Sequence, residues 1–272
     1  MDNQTITRPE KRIRRSKNLG TKFDPFLIRL PKDFLMIGKY PCAWYRLEAD
    51  LDMSSVTLIM ASKLRFGGTF DGNGKSICNL KIRDVNSISV GLFGTIEAGA
   101  TIKNLKIKNV SVIGAGCVGV IAGENSGNII NCELSGVLVQ GFFEVGGLVG
   151  TNTCRAKIQG CVADGAVLGN VNVGGIVGNN LVGARVIRCF SDGKLCGIEN
   201  VGGVAGQNHG EIAFSRSDSR MKSQKVAGKL VGLNWGKVRL EGDRFLQKHC
   251  DKVLIFTELI GRNCVVFGGS PN

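Results

Sequence analysis

The sequence predicts an all-β fold: a single-stranded parallel β-solenoid (β-helix) with coils of about 28 residues and a cap at each end. Two observations support this prediction, a repeated glycine-rich motif and the short β-prone segments around it. Variants of Val-Gly-Gly-Leu-Val-Gly occur six times between residues 89 and 232. The glycines that close them are 29, 27, 28, 28 and 26 residues apart: Gly94, Gly123, Gly150, Gly178, Gly206 and Gly232. A period of about 20–50 residues indicates stacked repeats and not one closed globular core.

Alignment on the closing glycine shows columns of equivalent residues. The position two residues before that glycine is always aliphatic: Leu92, Ile121, Leu148, Ile176, Val204 and Leu230. We expect Leu148 and Ile176 to stack inside the solenoid, one coil above the next. A strand-like run ends at Cys132, Cys161 and Cys189, which we expect to be inward, reduced and mutually unbonded. Each repeat thus contains two or three short β-prone segments between Gly, Asn or Ser corners, without a helical period of 3.6 residues.

An asparagine column lies two residues after the closing glycine, with Ile96 as its exception. Its members are Asn125, Asn152, Asn180, Asn208 and Asn234. Because asparagine at a repeated corner can hydrogen-bond to the next coil and to local backbone, the column predicts a structural ladder. A ligand-binding row is the alternative.

The chain is divided by composition into four parts. We predict a basic, disordered tail over residues 1–22 and an N-terminal cap over 23–43, where large apolar residues alternate with charges. The solenoid is predicted over residues 44–250. Residues 251–272 are predicted to supply a C-terminal strand or cap.

The repeat motif also resembles a known family. Segments 145–152, 173–180 and 201–210 resemble the GLUG repeat, and segments 45–53 and 68–80 look like the coils that often precede such repeats. The resemblance covers about residues 44–238. It implies a parallel β-solenoid of a kind found mostly in bacterial surface and secreted proteins, and it implies no common set of catalytic residues. Val120 and Lys229 depart from the pattern, since each replaces a glycine.

Cysteine use and hydropathy bear on the compartment. The ten cysteines include no Cys-x-x-Cys pair, and the chain is long for a disulfide framework, so small hydrophobic cysteines in a reduced protein are the simpler interpretation. Residues 1–22 lack the apolar region of a secretory signal, and apolar runs are far shorter than the roughly 18 residues of a membrane span. We therefore expect a protein made in the bacterial cytoplasm, not transmembrane, and exported, if at all, by a non-Sec route of the type III kind into a host cell.

The positive charge is concentrated at the two ends of the chain. Residues 1–22 contain seven Lys/Arg and two Asp/Glu, residues 215–252 contain ten and four, and residues 90–200 contain eight and seven. The tail residues predicted to contact an anionic partner are Lys11, Arg12, Arg14, Arg15 and Lys17. A solvated tail that aids solubility is the alternative. With two Tyr and two Trp in the chain, stacking platforms for nucleic acid are few.

Catalytic candidates are few. His209 lies in a repeat corner, and His249 precedes Cys250, but no residue pattern selects a Cys–His nucleophile pair, and a His-Glu-x-x-His zinc motif is absent. Glu48, Asp50 and Asp52 alternate and would share one face of a strand, as paired carboxylates of a glycosidase could. The Asp71-Gly-Asn-Gly segment could hold calcium. Both acidic motifs fit a turn-forming role, and we predict no catalytic residue, metal site or cofactor.

These observations together favour a non-enzymatic interaction protein of effector or adhesin type. It would present a rigid solenoid surface and basic ends to a host or bacterial protein or to an anionic surface. The alternative is a polysaccharide-active β-helix enzyme that uses the carboxylates of the first coils.

Overall fold

The computed structural model describes residues 19–56, 63–153 and 155–240, together with the backbone of 245–246. The predicted fold class is confirmed: parallel sheets form a β-solenoid of about seven turns with roughly 28 residues per turn. None of the described helices is long and apolar enough to cross a membrane. The basic residues Lys11, Arg12, Arg14, Arg15 and Lys17, together with His249 and Cys250, lie outside the described residues.

The N-terminal elements and the first three coils contain fourteen described strands and two short helices. In chain order these are β1 (Phe26–Ile28), a 3-10 helix (Pro31–Leu35), α1 (Met36–Lys39), β2 (Trp44–Leu47), β3 (Leu51–Asp52), β4 (Arg65–Phe66), β5 (Thr69–Asp71), β6 (Ser76–Cys78), β7 (Lys81–Asp84), β8 (Ser89–Val90), β9 (Thr95–Ile96), β10 (Thr101–Lys103), β11 (Lys106–Lys108), β12 (Ser111–Gly114), β13 (Cys117–Val118) and β14 (Ala122–Asn125).

The later coils are built from longer strands in the same order. These are β15 (Asn128–Ile130), β16 (Glu133–Gln140), β17 (Phe143–Gly146), β18 (Val149–Asn152), β19 (Lys157–Gln159), β20 (Val162–Leu168), β21 (Val171–Gly174), β22 (Val177–Asn180), β23 (Arg185–Ile187), β24 (Phe190–Gly197), β25 (Glu199–Gly202), β26 (Ala205–Asn208), β27 (Glu211–Ala213), β28 (Arg216–Ser217), β29 (Arg220–Ser223), β30 (Ala227–Gly228), β31 (Val231–Asn234), β32 (Lys237–Arg239) and β33 (Phe245–Leu246).

These strands stack coil on coil into four sheets along the described chain. Sheet A runs from β1 through β2, β5, β10, β15, β19, β23 and β27 to β32 and β33. Sheet B is centred on β16, β20 and β24, sheet C on β18, β22 and β26, and sheet D on β17, β21 and β25. Within the segment predicted as a cap, β1 already pairs in parallel with β2. At the other end, β33 pairs with β32 in the antiparallel direction.

The prediction of two or three strands per repeat was too low, because the glycine motif itself forms two strands. Val145 and Gly146 end a strand of sheet D, and Val149 and Gly150 begin a strand of sheet C. A Cβ atom at Gly150 would lie 2.5 Å from the backbone nitrogen of Val118, one coil away. Real Cβ contacts are never so short, so glycine at this position lets the backbones of sheets C and D touch.

Aliphatic columns fill the interior as predicted. Leu148 and Ile176 are fully buried, and the Leu148 backbone nitrogen donates to the Ile176 carbonyl over 3.0 Å, which places one above the other. At the N-terminal end the core becomes aromatic. The ring of Phe34, from the 3-10 helix, lies 5.8 Å from that of Phe70 and 6.1 Å from that of Phe93. The helix thus covers the first coils with an apolar side chain.

The asparagine column forms the predicted structural ladder. Each side-chain nitrogen donates to the oxygen of the next asparagine at 2.7–2.9 Å, from Asn125 through Asn152, Asn180 and Asn208 to Asn234. The first four side chains have no exposed surface, so the ladder satisfies amides that water cannot reach.

The cysteine column is also inward. Cys132, Cys161 and Cys189 are buried and free of disulfides. The Sγ atom of Cys161 accepts a hydrogen bond from the Cys132 backbone nitrogen at 3.5 Å. Stacking at the coil period therefore brings these thiols together as packing groups of the core.

Candidate functional site

The acidic residues of the first coils stabilise turns by hydrogen bonding. Asp50 accepts hydrogen bonds from the backbone nitrogen and hydroxyl of Ser76 at 2.6 and 2.9 Å, and Asp52 accepts one from the Ser54 backbone at 2.9 Å. These bonds lower the pKa of both carboxyl groups. Glu48 lies in the corner between β2 and β3 and pairs with Arg46 at 3.2 Å. The three carboxylates alternate on the exposed side but do not share one strand.

The Asp71-Gly-Asn-Gly segment is likewise a turn. Asp71 accepts hydrogen bonds from the Asn73 backbone nitrogen at 2.9 Å and the Asn104 side chain at 3.1 Å, and it pairs with Lys103 at 3.2 Å. Burial alone would raise the pKa of Asp71, but these contacts hold it below its usual value. With these partners, the Asp71 carboxylate stabilises the corner of its coil. Across the described ranges no cluster of His, Cys, Asp and Glu could hold a metal ion.

His209 follows β26, and its backbone nitrogen donates to the Asn180 carbonyl at 2.7 Å. The contact belongs to the stacking of neighbouring coils.

Eight exposed basic side chains lie on the outer surface of sheet B, which we call the basic face. They form an N-terminal group (Lys81, Arg83, Lys106 and Lys108) and a C-terminal group (Lys194, Arg216, Arg220 and Lys222). Six exposed acidic side chains lie on or beside strands of the same sheet: Asp50, Asp52, Glu133, Asp164, Asp192 and Asp218. None of the eight basic residues forms an ion pair with any other residue that the structure describes. Between the two groups, β16 and β20 expose Leu138 and Val162, each 37% exposed, beside the acidic Glu133 and Asp164.

The C-terminal group brings like charges together. Lys194 and Arg220 are register partners on the adjacent parallel strands β24 and β29, so their Cα atoms are about 4.8 Å apart. Lys222 follows two residues later on the same face of β29 and is also exposed. Like charges side by side on a sheet repel each other. An anion bound between them would remove that repulsion.

Arg216 of this group and the neighbouring Arg188 are stacked on phenylalanine rings. The Arg216 guanidinium carbon lies 4.9 Å from the Phe190 ring centre, and the Arg188 carbon lies 5.6 Å from that of Phe214. The pairs are reciprocal, because Arg188 and Phe190 belong to one coil and Phe214 and Arg216 to the next. Stacking restricts an arginine side chain while its N–H groups stay free to bind carboxylate, sulfate or phosphate.

The N-terminal group was missed by the sequence reasoning, which treated the middle of the chain as nearly neutral. Its signal was present as Lys81-Ile-Arg83 and Lys106-Ile-Lys108, where basic residues alternate with a buried isoleucine. Alternation places both cations of each pair on one face. A net charge summed over a long segment of the sequence does not show that the cations share one face of a strand.

A second polar cluster joins sheets C and D, and we call it the polar seam. It consists of Cys117, Glu144, Asn172 and Asn200 from sheet D and Glu124, Thr151, Asn179 and Gln207 from sheet C. Glu144 accepts hydrogen bonds from the Cys117 thiol at 3.0 Å, the Thr151 hydroxyl and the Asn179 amide at 3.0 Å. Although burial alone would raise the pKa of Glu144, these three bonds hold it below its usual value.

The thiol of the seam is not an activated nucleophile. Burial and then the hydrogen bond to Glu144 raise the pKa of Cys117 to about 12. A catalytic cysteine needs a depressed pKa, because the thiolate is the reactive form. Cys117 therefore acts in the seam as a hydrogen-bond donor to Glu144.

Comparison with known proteins supports the fold. No family model matches the sequence. The chain is 32% identical over 153 residues to halomucin from Haloquadratum walsbyi, a match that covers 51% of this chain and 2% of halomucin. The crystal structure of a "putative immunoglobulin A1 protease" from Bacteroides ovatus is similar with a TM-score of 0.68 and 19% identity, covering 85% of this chain and 81% of that chain. At that identity the likeness concerns the β-solenoid alone.

Proposed function

We propose that this protein is a non-enzymatic binding solenoid of the bacterial surface or exterior, which holds an anionic partner against its basic face. The observation that supports this best is the C-terminal group, where Lys194, Arg216, Arg220 and Lys222 are exposed without an ion pair among the described residues. Side-by-side cations cost stability in the free protein. A partner rich in carboxylate, sulfate or phosphate groups recovers that cost on binding.

The solenoid suits this role because it is rigid and repetitive. Each coil repeats the outward positions of the one before at about 4.8 Å, so sheet B forms a long surface with fixed spacing. Leu138 and Val162 lie between the two basic groups, beside the acidic Glu133 and Asp164, and give a partner two places for hydrophobic contact. We include the tail residues Lys11, Arg12, Arg14, Arg15 and Lys17 in the proposal as additional, long-range contacts.

The location outside the bacterial cell is part of the proposal and is based on the similarity of this chain to other proteins. The motif resembles GLUG repeats of bacterial surface and secreted proteins, and the chain is similar in part to halomucin and in fold to the "putative immunoglobulin A1 protease". Export by a non-Sec route of the type III kind, and a role as an effector or adhesin in virulence, belong to the same proposal. A fusion of residues 1–22 to a reporter, followed in a secretion-competent bacterium, tests the export part separately from binding.

The binding part is tested with heparin, polyglutamate, anionic vesicles and single-stranded DNA as probes. The key variant changes Lys194, Arg220 and Lys222 to Gln. Its matched control changes three exposed basic residues near the N-terminal helices to Gln: Arg29, Lys32 and Lys39. We expect the first triple variant to lose affinity for at least one of the sulfate or carboxylate probes and the control to retain it. Turnover of a polysaccharide that is lost in Asp50→Asn or Asp52→Asn would contradict the proposal.

A further inference from the structure

The polar seam contains a buried oxygen that lacks a hydrogen-bond donor. The Asn179 side chain is 7% exposed, and its Oδ1 atom has no partner among the described residues. Its amide cannot simply be turned over, because the nitrogen donates to Glu144 Oε1 at 3.0 Å. A buried acceptor left unpaired destabilises the fold. The oxygen is therefore placed to accept a bond that the chain does not itself supply.

The same place carries negative charge without a cation. Glu144 is half-buried and receives three hydrogen bonds from neutral donors. Glu124 is the register partner of Thr151, which in turn is the register partner of Asn179. Neither glutamate forms an ion pair with another residue of the described ranges. Two carboxylates and an unpaired amide oxygen thus lie on three successive coils of one seam.

Glu144 also differs in residue type from the residues stacked on it. Asn172 and Asn200 occupy the same column on the next two coils, and all three have a left-handed backbone, with φ of 50°, 56° and 56°. Asparagine adopts this conformation more readily than glutamate does. The backbone conformation therefore favours asparagine here and does not account for a charged side chain at this position.

We propose that the seam between Glu144, Asn179 and Glu124 binds a primary ammonium group, such as the side chain of a lysine. An ammonium has three N–H donors and no acceptor. It would donate to Glu144 Oε1 and Asn179 Oδ1. It would reach them between the side chains of Glu144 and Gln207, which are half-exposed. Glu124, the register partner of Thr151 one coil earlier, adds a second negative charge. A divalent metal fits less well, because the three hydrogen bonds already made to Glu144 occupy oxygen positions that coordination would need.

The test uses n-butylammonium chloride as the probe and the Asn179 side-chain amide resonance as the readout. Tetramethylammonium chloride, which has the charge but no N–H donor, and NaCl at equal ionic strength are the matched probes. We expect a saturable shift with butylammonium alone. No saturable shift, or the same shift with tetramethylammonium, would overturn the proposal.

The variant Glu144→Asn separates binding from folding. We expect it to fold with at most a small drop in Tm, since it copies Asn172 and Asn200 but gives up hydrogen bonds that Glu144 accepts, and to lose at least about tenfold in butylammonium affinity. Glu133→Gln, which removes one exposed charge from the same coil on another sheet, should bind as the parent does. If Glu144→Asn does not fold, Glu144→Gln keeps the shape without the charge. The proposal is overturned if the variant that folds, Glu144→Asn or Glu144→Gln, binds butylammonium as tightly as the parent. A large drop in Tm for Glu144→Asn would likewise mean that Glu144 has a structural role instead.

Discussion

Asn180 shows at the residue scale how a corner side chain holds the stack together. Its Nδ2 donates to Asn208 at 2.7 Å and its Oδ1 accepts from Asn152 at 2.9 Å, all without exposed surface. Each asparagine thus joins the coil before it to the coil after it. The column was predictable from sequence because its spacing equals the coil period. The polar seam was not predictable, because its members differ from coil to coil: Cys117, Glu144 and Asn172 share no residue type.

We predict that Asn180→Ala lowers the free energy of unfolding by about 2–4 kcal/mol, because it leaves Asn152 Nδ2 and Asn208 Oδ1 buried and unpaired. Asn234→Ala is the control. It removes the half-buried last member and leaves one ladder partner unpaired, so its cost should be clearly smaller. Urea unfolding followed by circular dichroism measures both. Equal costs would show that the ladder does not act through buried amides.

A second prediction at this scale concerns the Cys117 thiol. With a pKa of about 12 against an ordinary value of 9.0, it stays protonated at pH 9. Alkylation by iodoacetamide should then be far slower at Cys117 than at the exposed Cys42. Because the folded protein keeps this proton and the unfolded chain loses it, the contribution of Cys117 to stability falls as pH rises above about 9. Peptide mapping after timed alkylation is the measurement, and equal rates at both cysteines would contradict the account.

At the element scale, the glycine motif folds back so that sheets C and D touch through their backbones. The closing glycines Gly150, Gly178 and Gly206 lie directly against a strand of sheet D. The period and the aliphatic columns were sufficient to predict the coil length and the buried face. They could not predict the second strand in each motif, because that strand depends on a backbone contact between coils and not on side-chain alternation.

We predict that Gly206→Ala destabilises the protein by about 2–4 kcal/mol, since the new Cβ would lie 2.5 Å from the Val173 backbone nitrogen and force the two sheets apart. Gly38→Ala in α1 is the control, because no atom lies within 4 Å of its Cβ position and alanine favours a helix. Thermal unfolding should show a clear loss of Tm for the first variant and none for the second. A Tm unchanged in Gly206→Ala would refute the backbone contact.

At the scale of the whole molecule, the solenoid turns short sequence alternations into a surface. Lys81-Ile-Arg83 and Lys106-Ile-Lys108 at one end and Lys194, Arg220 and Lys222 at the other reach the same sheet through stacking. The described end of the tail contacts the first coil, since the Trp44 backbone nitrogen donates to the Gly20 carbonyl at 2.9 Å. We therefore predict that deletion of residues 1–18, which removes Lys11, Arg12, Arg14, Arg15 and Lys17 and keeps this contact, weakens binding to anionic probes and leaves the Tm nearly unchanged. Equal binding of both forms at low salt would exclude the tail from the site.

The salt dependence of heparin affinity tests the central claim most directly, measured for the parent protein and for the two triple variants. Exposed charges are screened over about 8 Å at physiological ionic strength, so affinity based on the basic face must fall as salt rises. We predict that the change of Lys194, Arg220 and Lys222 to Gln weakens binding about tenfold at low salt and flattens the salt dependence. The same change at Arg29, Lys32 and Lys39 should leave both close to the parent. Identical affinities and slopes for the two triple variants would contradict the assignment of the basic face as the binding surface.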